Sequence, residues 1–279
     1  MHIPRVWAKA SATERTPEGE SVPVSVWGWG DDESSAQRGA ADRLTRVLER
    51  LRKGEKFPDR YAYGHRPLRE EILRSIPSEN GADVTAVLTR NSYGAEVMNA
   101  ARLLFLDIDL PGRPWSSRVR RLFGGASAHD EQLPKLRQAL QQYGMATFRI
   151  YQTASGFRVM AIDREFDPAG FDVQQLMKTT GTDPAFSQLC LAQRSFRARL
   201  TPKPWRARMR PPPGEYPRHD AESQRGFADW LAKYEKAASG FATCRYLETV
   251  GSGAASGDAR ILQQLHDRAT RCDEPLPLA

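Results

Sequence analysis

Residues 103–109 of the chain read LLFLDID, an apolar run that leads directly into two aspartates separated by one position. The tripeptide at 110–112, Leu-Pro-Gly, interrupts the run. A short apolar run that ends at Pro-Gly is typical of a buried β-strand. Because side chains alternate between the two faces of a strand, Asp107 and Asp109 are predicted to point to the same side. The sequence therefore predicts a pair of carboxylates at the rim of a core.

Two carboxylates in this position need positive charge beside them, because they repel each other and lose hydration. A divalent metal ion is the usual functional solution, and oxygen ligands suit Mg²⁺ or Mn²⁺. A pair of arginine side chains is the alternative, and the short motif by itself slightly favours that alternative. The choice depends on which residues surround the pair.

The length of 279 residues fits one large domain or two small ones, and a hydrophobic content of 40% is enough to form a core. No apolar run approaches the length of about 18 residues that a membrane span needs, so no membrane association is expected. The first residues lack the apolar segment of a secretory signal, and the three cysteines, Cys190, Cys244 and Cys272, are widely spaced. Both features predict a cytoplasmic protein. A zinc site built from Cys244, His266 and Cys272 is conceivable, but no Cys-x-x-Cys spacing supports it.

The net charge of +7 is concentrated in one segment, because seven basic residues and no acidic one lie between positions 194 and 210. They are Arg194, Arg197, Arg199, Lys203, Arg206, Arg208 and Arg210. A local basic block favours a polyanionic partner over a diffuse charge, and the alternative is a solvated basic loop. Phe196 and Trp205 lie within the block and are candidates for stacking on nucleic-acid bases.

The hydrophobic periodicity predicts an N-terminal unit at 1–82, an α+β core at 83–210 and a C-terminal helical segment at 211–279 that packs on the core. In the first of these we expect strands at 6–10 and 22–29, a helix from 31 to 53 and a short helix at 67–76, which makes a small ββα unit and a connection. In the core we expect a hairpin at 83–90 and 95–99, the Asp-x-Asp strand, a helix at 130–143, strands at 146–153 and 157–163, helices at 167–178 and 183–193, and a strand at 195–201. In the last segment we expect helices at 220–238 and 256–269 with a strand at 241–250 between them.

This order of elements is that of an RNA-recognition-like (split βαβ) core with a mixed or antiparallel sheet and helices packed on it. The order and three motifs together resemble the catalytic core of the archaeo-eukaryotic primase superfamily, the primase-polymerases. In that family an apolar strand ends in Asp-x-Asp or Asp-x-Glu, a hairpin carries a Ser-x-His-type motif, and a later strand carries Arg and Lys. Here LLFLDIDL (Leu103–Leu110) looks like the first motif, YQTASGFRV (Tyr151–Val159) like the hairpin and RARLTPKPW (Arg197–Trp205) like the later strand. The resemblance spans roughly residues 95–205.

The resemblance implies metal-dependent nucleotidyl transfer of the kind used in DNA replication, in which Asp107 and Asp109 hold Mg²⁺ or Mn²⁺ and carry the catalysis. Ser155, Arg158, Arg199 and Lys203 would then bind the nucleotide phosphates. The partners would be nucleotides and single-stranded or primed nucleic acid, which the basic block would contact through Arg194, Arg197, Trp205, Arg206, Arg208 and Arg210.

The chain departs from the family pattern at two places. Arg158 occupies the position of the hairpin histidine, and Gln193 lies near the place where a third acidic residue is expected. Asp163 lies at the far end of its strand, and nothing in the sequence singles out Asp183. Because arginine still pairs with phosphate, nucleotide binding is expected even where catalysis is lost.

Three other interpretations remain open. The first is a non-enzymatic nucleic-acid-binding or adaptor protein, in which the two aspartates are ion-paired and four arginines at 113–121 help to neutralise them. Its binding would weaken steeply with salt and need no metal. The alternative role of the same four arginines is to bind phosphate. The others are metal-dependent phosphoryl-transfer enzymes, namely a haloacid-dehalogenase-type phosphatase or a nuclease. The hairpin that follows the Asp-x-Asp strand argues against the phosphatase, and no Asp/Glu-x-Lys pair supports the nuclease.

Overall fold

The computed structural model describes residues 1, 3–17, 19–55, 67–110, 128–255 and 257–279. Within them the protein is of the α+β class, with antiparallel sheets and a β-hairpin followed by a helix at its N-terminus. The helices are α1 (Glu33–Arg52), α2 (Ala128–Tyr143), α3 (Phe171–Thr180), α4 (Pro184–Gln193), α5 (Ala221–Ala238) and α6 (Gly257–Thr270). The strands are β1 (Val6–Arg15), β2 (Ser21–Gly30), β3 (Glu71–Pro77), β4 (Val84–Arg90), β5 (Glu96–Ala100), β6 (Phe105–Asp109), β7 (Phe148–Thr153), β8 (Gly156–Ala161), β9 (Phe196–Arg199) and β10 (Cys244–Val250). The chain divides into two compact units, His2–Glu71 and Ile72–Ala279.

The N-terminal unit is built from the β1–β2 hairpin and α1. The two strands pair antiparallel over their full length, from Val6 opposite Gly30 to Arg15 opposite Ser21. Helix α1 packs so closely on the hairpin that a Cβ atom at Gly28 would lie 2.0 Å from the backbone nitrogen of Ala40. The absence of a side chain at this position therefore sets the distance between the strand and the helix.

The second unit contains the sheet that carries the Asp-x-Asp motif, with the strand order β10-β7-β8-β6. Strand β8 pairs antiparallel with both β6 and β7, so those two strands run in the same direction on either side of it. Asp107 and Asp109 belong to the last three residues of β6. The expected hairpin at 146–163 is confirmed as β7 and β8, which a short turn joins.

The two faces of this sheet have different coverings. Tyr143 of α2 packs its ring 5.9 Å from Phe148, on the face that also carries Ile108. His266 of α6 packs its ring 5.6 Å from Phe105, on the face that carries the aspartates. The core between these layers buries Leu104, Leu106, Leu136, Leu140, Ile150 and Val159 completely or nearly so.

A second sheet in the same unit has the order β3-β4-β5-β9. It corrects the expected short helix at 67–76, because residues 71–77 form strand β3 beside β4. Pro67 followed by acidic residues is a helix-start signal, but Ile76 of this segment is buried against the core. Pairing with a neighbouring strand overrides a weak local preference of this kind.

The four arginines at 113–121 lie outside the described residues. None of the helices in the described part of the chain is long and apolar enough to cross a membrane.

Candidate functional site

The site begins at the end of β6, where register brings the Asp-x-Asp motif against the Ser-Gly turn. Asp107 lies opposite Arg158 of β8, and Asp109 lies opposite Gly156. The Ser155 hydroxyl donates a hydrogen bond of 2.9 Å to Oδ1 of Asp109. A Cβ atom at Gly156 would lie 1.9 Å from the carbonyl oxygen of Ile108, so glycine is required where the turn meets β6.

Asp107 is partly buried, and Asp109 beside it is exposed. Burial raises the pKa of Asp107, and the charge of Asp109 raises it further. The positive charges of Arg158, Arg199 and Lys203 act in the opposite direction. The structure records no direct ion pair between either carboxylate and a described lysine or arginine. The carboxylates thus lie in the field of several cations, and none of the cations in the described part of the chain neutralises them by direct contact.

The cations crowd one another as well. Burial and the charges of Arg199 and Arg206 lower the pKa of Lys203. Burial and Arg199 likewise lower the pKa of Arg206. Nε of Arg199 and Nη1 of Arg206 are buried and have no hydrogen-bond partner among the described residues. Unpaired guanidinium donors beside a surplus of positive charge are suited to binding an anion with several oxygens, such as a phosphate chain.

An aromatic pair borders this cationic cluster. Tyr93, in the turn between β4 and β5, packs against Trp205 with ring centroids 5.3 Å apart in a T-shaped arrangement. The Lys203 ammonium lies 5.6 Å from the Trp205 ring, and half of Trp205 (52%) is exposed. The structure therefore presents an accessible aromatic surface next to Arg199, Lys203 and Arg206, which we call the candidate phosphate site.

Helix α5 supports both parts of this surface. Trp230 stacks on Tyr234 with centroids 5.0 Å apart, and its indole N–H donates to the carbonyl of Arg210. The same ring fills the space beside Gly94, where a Cβ atom would lie 2.2 Å from it. The Tyr234 hydroxyl donates to the carbonyl of Pro202 at 2.6 Å. The turn that carries Tyr93 and the end of the basic block are thus both held in place by the stacked rings of Trp230 and Tyr234.

The remaining arginines of the basic block separate into two groups. Arg194, Arg208 and Arg210 are exposed. Arg197 is only 8% exposed and donates to Gln193 and, through a short contact, to Asn99. We therefore assign Arg197 a structural role, in place of the nucleic-acid contact expected from the sequence, because its guanidinium is used inside the fold.

The sequence did not indicate a role for Tyr93, and it indicated His266 only as a conceivable zinc ligand. His266 is fully buried, and its Nε2 lies 3.2 Å from Nη1 of Arg158. Tyr93 lies in the turn between the two strands that were expected at 83–90 and 95–99. The residues next to Tyr93 and His266 in the sequence do not indicate these roles, because each side chain contacts a residue more than 100 positions away.

The other candidate carboxylates are engaged in local structure. Asp163 accepts a hydrogen bond from the backbone N–H of Thr147 at 2.9 Å. Asp183 caps α4 by accepting from the N–H of Ala185, and its own N–H donates to the carbonyl of Asp107. Among the described residues no group of three or more His, Cys, Asp and Glu side chains is placed to hold a metal. The conceivable zinc site of Cys244, His266 and Cys272, which all lie in that part of the chain, is therefore not formed.

Asp107 and Asp109 nevertheless fit a hard divalent cation as a two-carboxylate donor pair. Mg²⁺ is commonly held by one or two carboxylates, with water and substrate phosphates as its other ligands. A cation bound there would bring phosphate oxygens and the carboxylates together and reduce their repulsion.

No protein-family model matches the chain, and no curated protein or solved structure is significantly similar to it.

Proposed function

We propose that this protein is a divergent primase-polymerase-like protein that binds nucleotides and nucleic acid, with metal-dependent nucleotidyl transfer through Asp107 and Asp109. The observation that carries the proposal is the arrangement around the carboxylates. Arg158, Arg199 and Lys203 all act on Asp107 electrostatically, yet none forms a direct ion pair with it. Carboxylates and cations that act on one another without a direct ion pair between them suit a metal-bound triphosphate better than a closed salt bridge does.

The order of the three strands β6, β8 and β7 supports a split βαβ core of the RNA-recognition type, although the fourth strand, β10, pairs with β7 and not with β6. Strand β8 lies between β6 and β7, which run in the same direction, and α2 precedes β7 in the chain. This is the arrangement of a split β-α-β unit. In such a unit the motifs on adjacent strands meet on one face of the sheet.

The proposed roles follow from position. Asp107 and Asp109 would hold Mg²⁺ or Mn²⁺, which would supply charge neutralisation on the triphosphate. Arg199, Lys203 and Arg206 would bind phosphate oxygens, with Ser155 positioning Asp109. The exposed residues Trp205, Arg208 and Arg210 would contact single-stranded or primed nucleic acid through stacking and charge.

The test is titration of the purified protein with a fluorescent dNTP, with and without Mn²⁺, followed by primer synthesis on a single-stranded template. We expect nucleotide binding that needs Mn²⁺ and is lost in the Asp107→Ala/Asp109→Ala variant. Asp229→Asn, which changes an exposed carboxylate on α5, is the matched control and should behave as the wild type. Wild-type protein that binds no nucleotide in Mn²⁺ would refute the proposal.

A second candidate function is nucleic-acid binding without catalysis. It is favoured by the engagement of Asp163 and Asp183 elsewhere, which leaves the pair at 107 and 109 without a third carboxylate in the described part of the chain. In that case the same experiment gives Mn²⁺-independent binding of the template and no primer. Metal-dependent nucleotide binding without synthesis would indicate a degenerate primase-like protein.

A further inference from the structure

The guanidinium of Arg158 is held between the two sheets. The residue is 3% exposed, and Nη1 donates to the carbonyl of Arg199 on β9 at 2.8 Å. Its second contact from Nη1 is to Nε2 of His266 at 3.2 Å. A desolvated cation is stable only when its donors find acceptors, so the histidine contact is a needed part of its environment.

The chemistry of arginine fixes the protonation of the histidine. Arginine only donates hydrogen bonds, so Nε2 of His266 must offer its lone pair. The ring proton then lies on Nδ1, which donates to Oδ1 of Asp267 at 2.9 Å. Burial lowers the pKa of His266 to about 4, and the hydrogen bond to Asp267 offsets that effect only in part. The imidazole is therefore neutral at neutral pH, as the contact with Arg158 requires.

Asp267 is itself anchored on β7. The Tyr151 hydroxyl donates to Oδ1 of Asp267 at 2.8 Å, and Nη2 of Arg149 forms an ion pair with Oδ2 at 3.1 Å. The rings of Tyr151 and Phe105 lie 4.9 Å and 5.6 Å from the imidazole. The orientation of His266 is thus fixed by packing on one side and by a hydrogen-bonded carboxylate on the other.

We infer that His266 is a positioning residue for the nucleotide site, which holds the Arg158 guanidinium beside Asp107 while Asp267 fixes the histidine tautomer. The inference rests on the proposed function for the site that Arg158 serves. It also accounts for arginine at the hairpin position, since a buried arginine there needs an acceptor from elsewhere in the fold. Helix α6, more than 100 residues further along the chain, supplies that acceptor.

Two variants separate positioning from stability. In His266→Asn the amide can retain the hydrogen bond to Asp267 but does not reach Arg158. In His266→Gln the longer side chain places its carbonyl oxygen near the position of Nε2 and accepts from Arg158. In the Asn variant the guanidinium loses one of its acceptors and with it a contact that holds it beside Asp107. We therefore expect the Mn²⁺-dependent affinity for a fluorescent dNTP to fall about tenfold or more in the Asn variant. The Gln variant should recover most of that loss.

The folding of both variants is checked by circular dichroism and thermal unfolding. Equal nucleotide affinity of the folded Asn variant and the wild type would overturn the inference. An equal loss of nucleotide affinity in both variants, in proportion to their loss of thermal stability, would overturn it as well. A purely structural histidine predicts the second of these results.

An NMR measurement tests the same contact without any ligand. Two-bond ¹H–¹⁵N correlation spectra identify the tautomer of each of the five histidines, and the His266 signal is assigned by its loss in the Gln variant. We expect the Nδ1–H tautomer, with an Nε2 shift that changes in Arg158→Lys. The Nε2–H tautomer would overturn the inference. The expected tautomer together with a wild type that binds no nucleotide would leave the Arg158 contact supported and refute the proposed function instead.

Discussion

Asp107 on β6 and Arg158 on β8 are directly opposite each other, and the charge of Arg158 counteracts the rise in the Asp107 pKa that burial causes. The pair connects a carboxylate at the edge of the core with a guanidinium in its interior. Asp107 faces the candidate phosphate site, whereas Arg158 is buried and bonded to β9 and α6. A change on either side is therefore expected to affect both the stability of the sheet and the properties of the site.

The first prediction concerns the turn that carries Ser155. Gly156→Ala should lower the free energy of unfolding by about 2–3 kcal/mol, because the added methyl group meets the Ile108 carbonyl and pushes β6 from β8. Urea unfolding measures the change. Gly240→Ala is the control, since its nearest atom would be 3.7 Å away. Equal stability of the two variants would show that the turn tolerates a side chain.

The second prediction is a pH dependence that originates at His266. The pKa of this group is about 4 in the folded protein and 6.5 for an unperturbed histidine, so the unfolded chain binds a proton first as the pH falls. The stability that depends on neutral His266 is complete above pH 6.5 and is lost progressively towards pH 4. A shift of this size corresponds to about 3 kcal/mol. Arg158, Arg149, Asp267 and Tyr151 are the charged and titratable groups that face the ring.

The measurement compares urea unfolding of the wild type and His266→Gln between pH 7 and 4.5. The comparison cancels the opposite effect of Asp107, whose raised pKa stabilises the folded state as the pH falls. The wild type should lose stability relative to the Gln variant over this range. Parallel pH profiles would show that His266 does not titrate as inferred.

The third prediction concerns the aromatic surface. Trp205→Ala should weaken binding of a labelled single-stranded oligonucleotide by about 1–3 kcal/mol, which is the usual contribution of one base stacked on an aromatic ring. Fluorescence anisotropy gives the affinity. Phe171→Ala removes another exposed aromatic ring, 78% accessible on α3, and should have no effect. Similar losses in both variants would argue against a specific role for Trp205.

The fourth prediction concerns Arg208 and Arg210, which are exposed beyond the candidate phosphate site. The double change to Gln should reduce the slope of log affinity against log salt by about 1.4, from about 0.7 for each single-strand phosphate contact. Lys233→Gln/Lys236→Gln removes the same charge from exposed positions of α5. An identical reduction in this control would mean that net charge alone governs binding.

The sequence by itself determined the elements whose signals are local. The apolar run before Asp107 predicted β6, and alternation on either side of Ser155 predicted the β7–β8 hairpin, since both depend on the period of side chains along a strand. The same reasoning placed Asp107 and Asp109 on one face. It also predicted the helices that the structure has from α1 to α6 with small differences at their ends.

Only the tertiary structure decided how each charged side chain is used. Arg197 and Arg199 are two residues apart in strand β9. Arg197 donates hydrogen bonds to Asn99 and Gln193, whereas the charge of Arg199 counteracts the rise in the pKa of Asp107. His266 reaches Arg158 across 108 positions. Strand β3 exists because β4 is available to pair with it. The physical reason is common to all three, since burial and hydrogen-bond partners come from contacts between distant segments, which local periodicity does not encode.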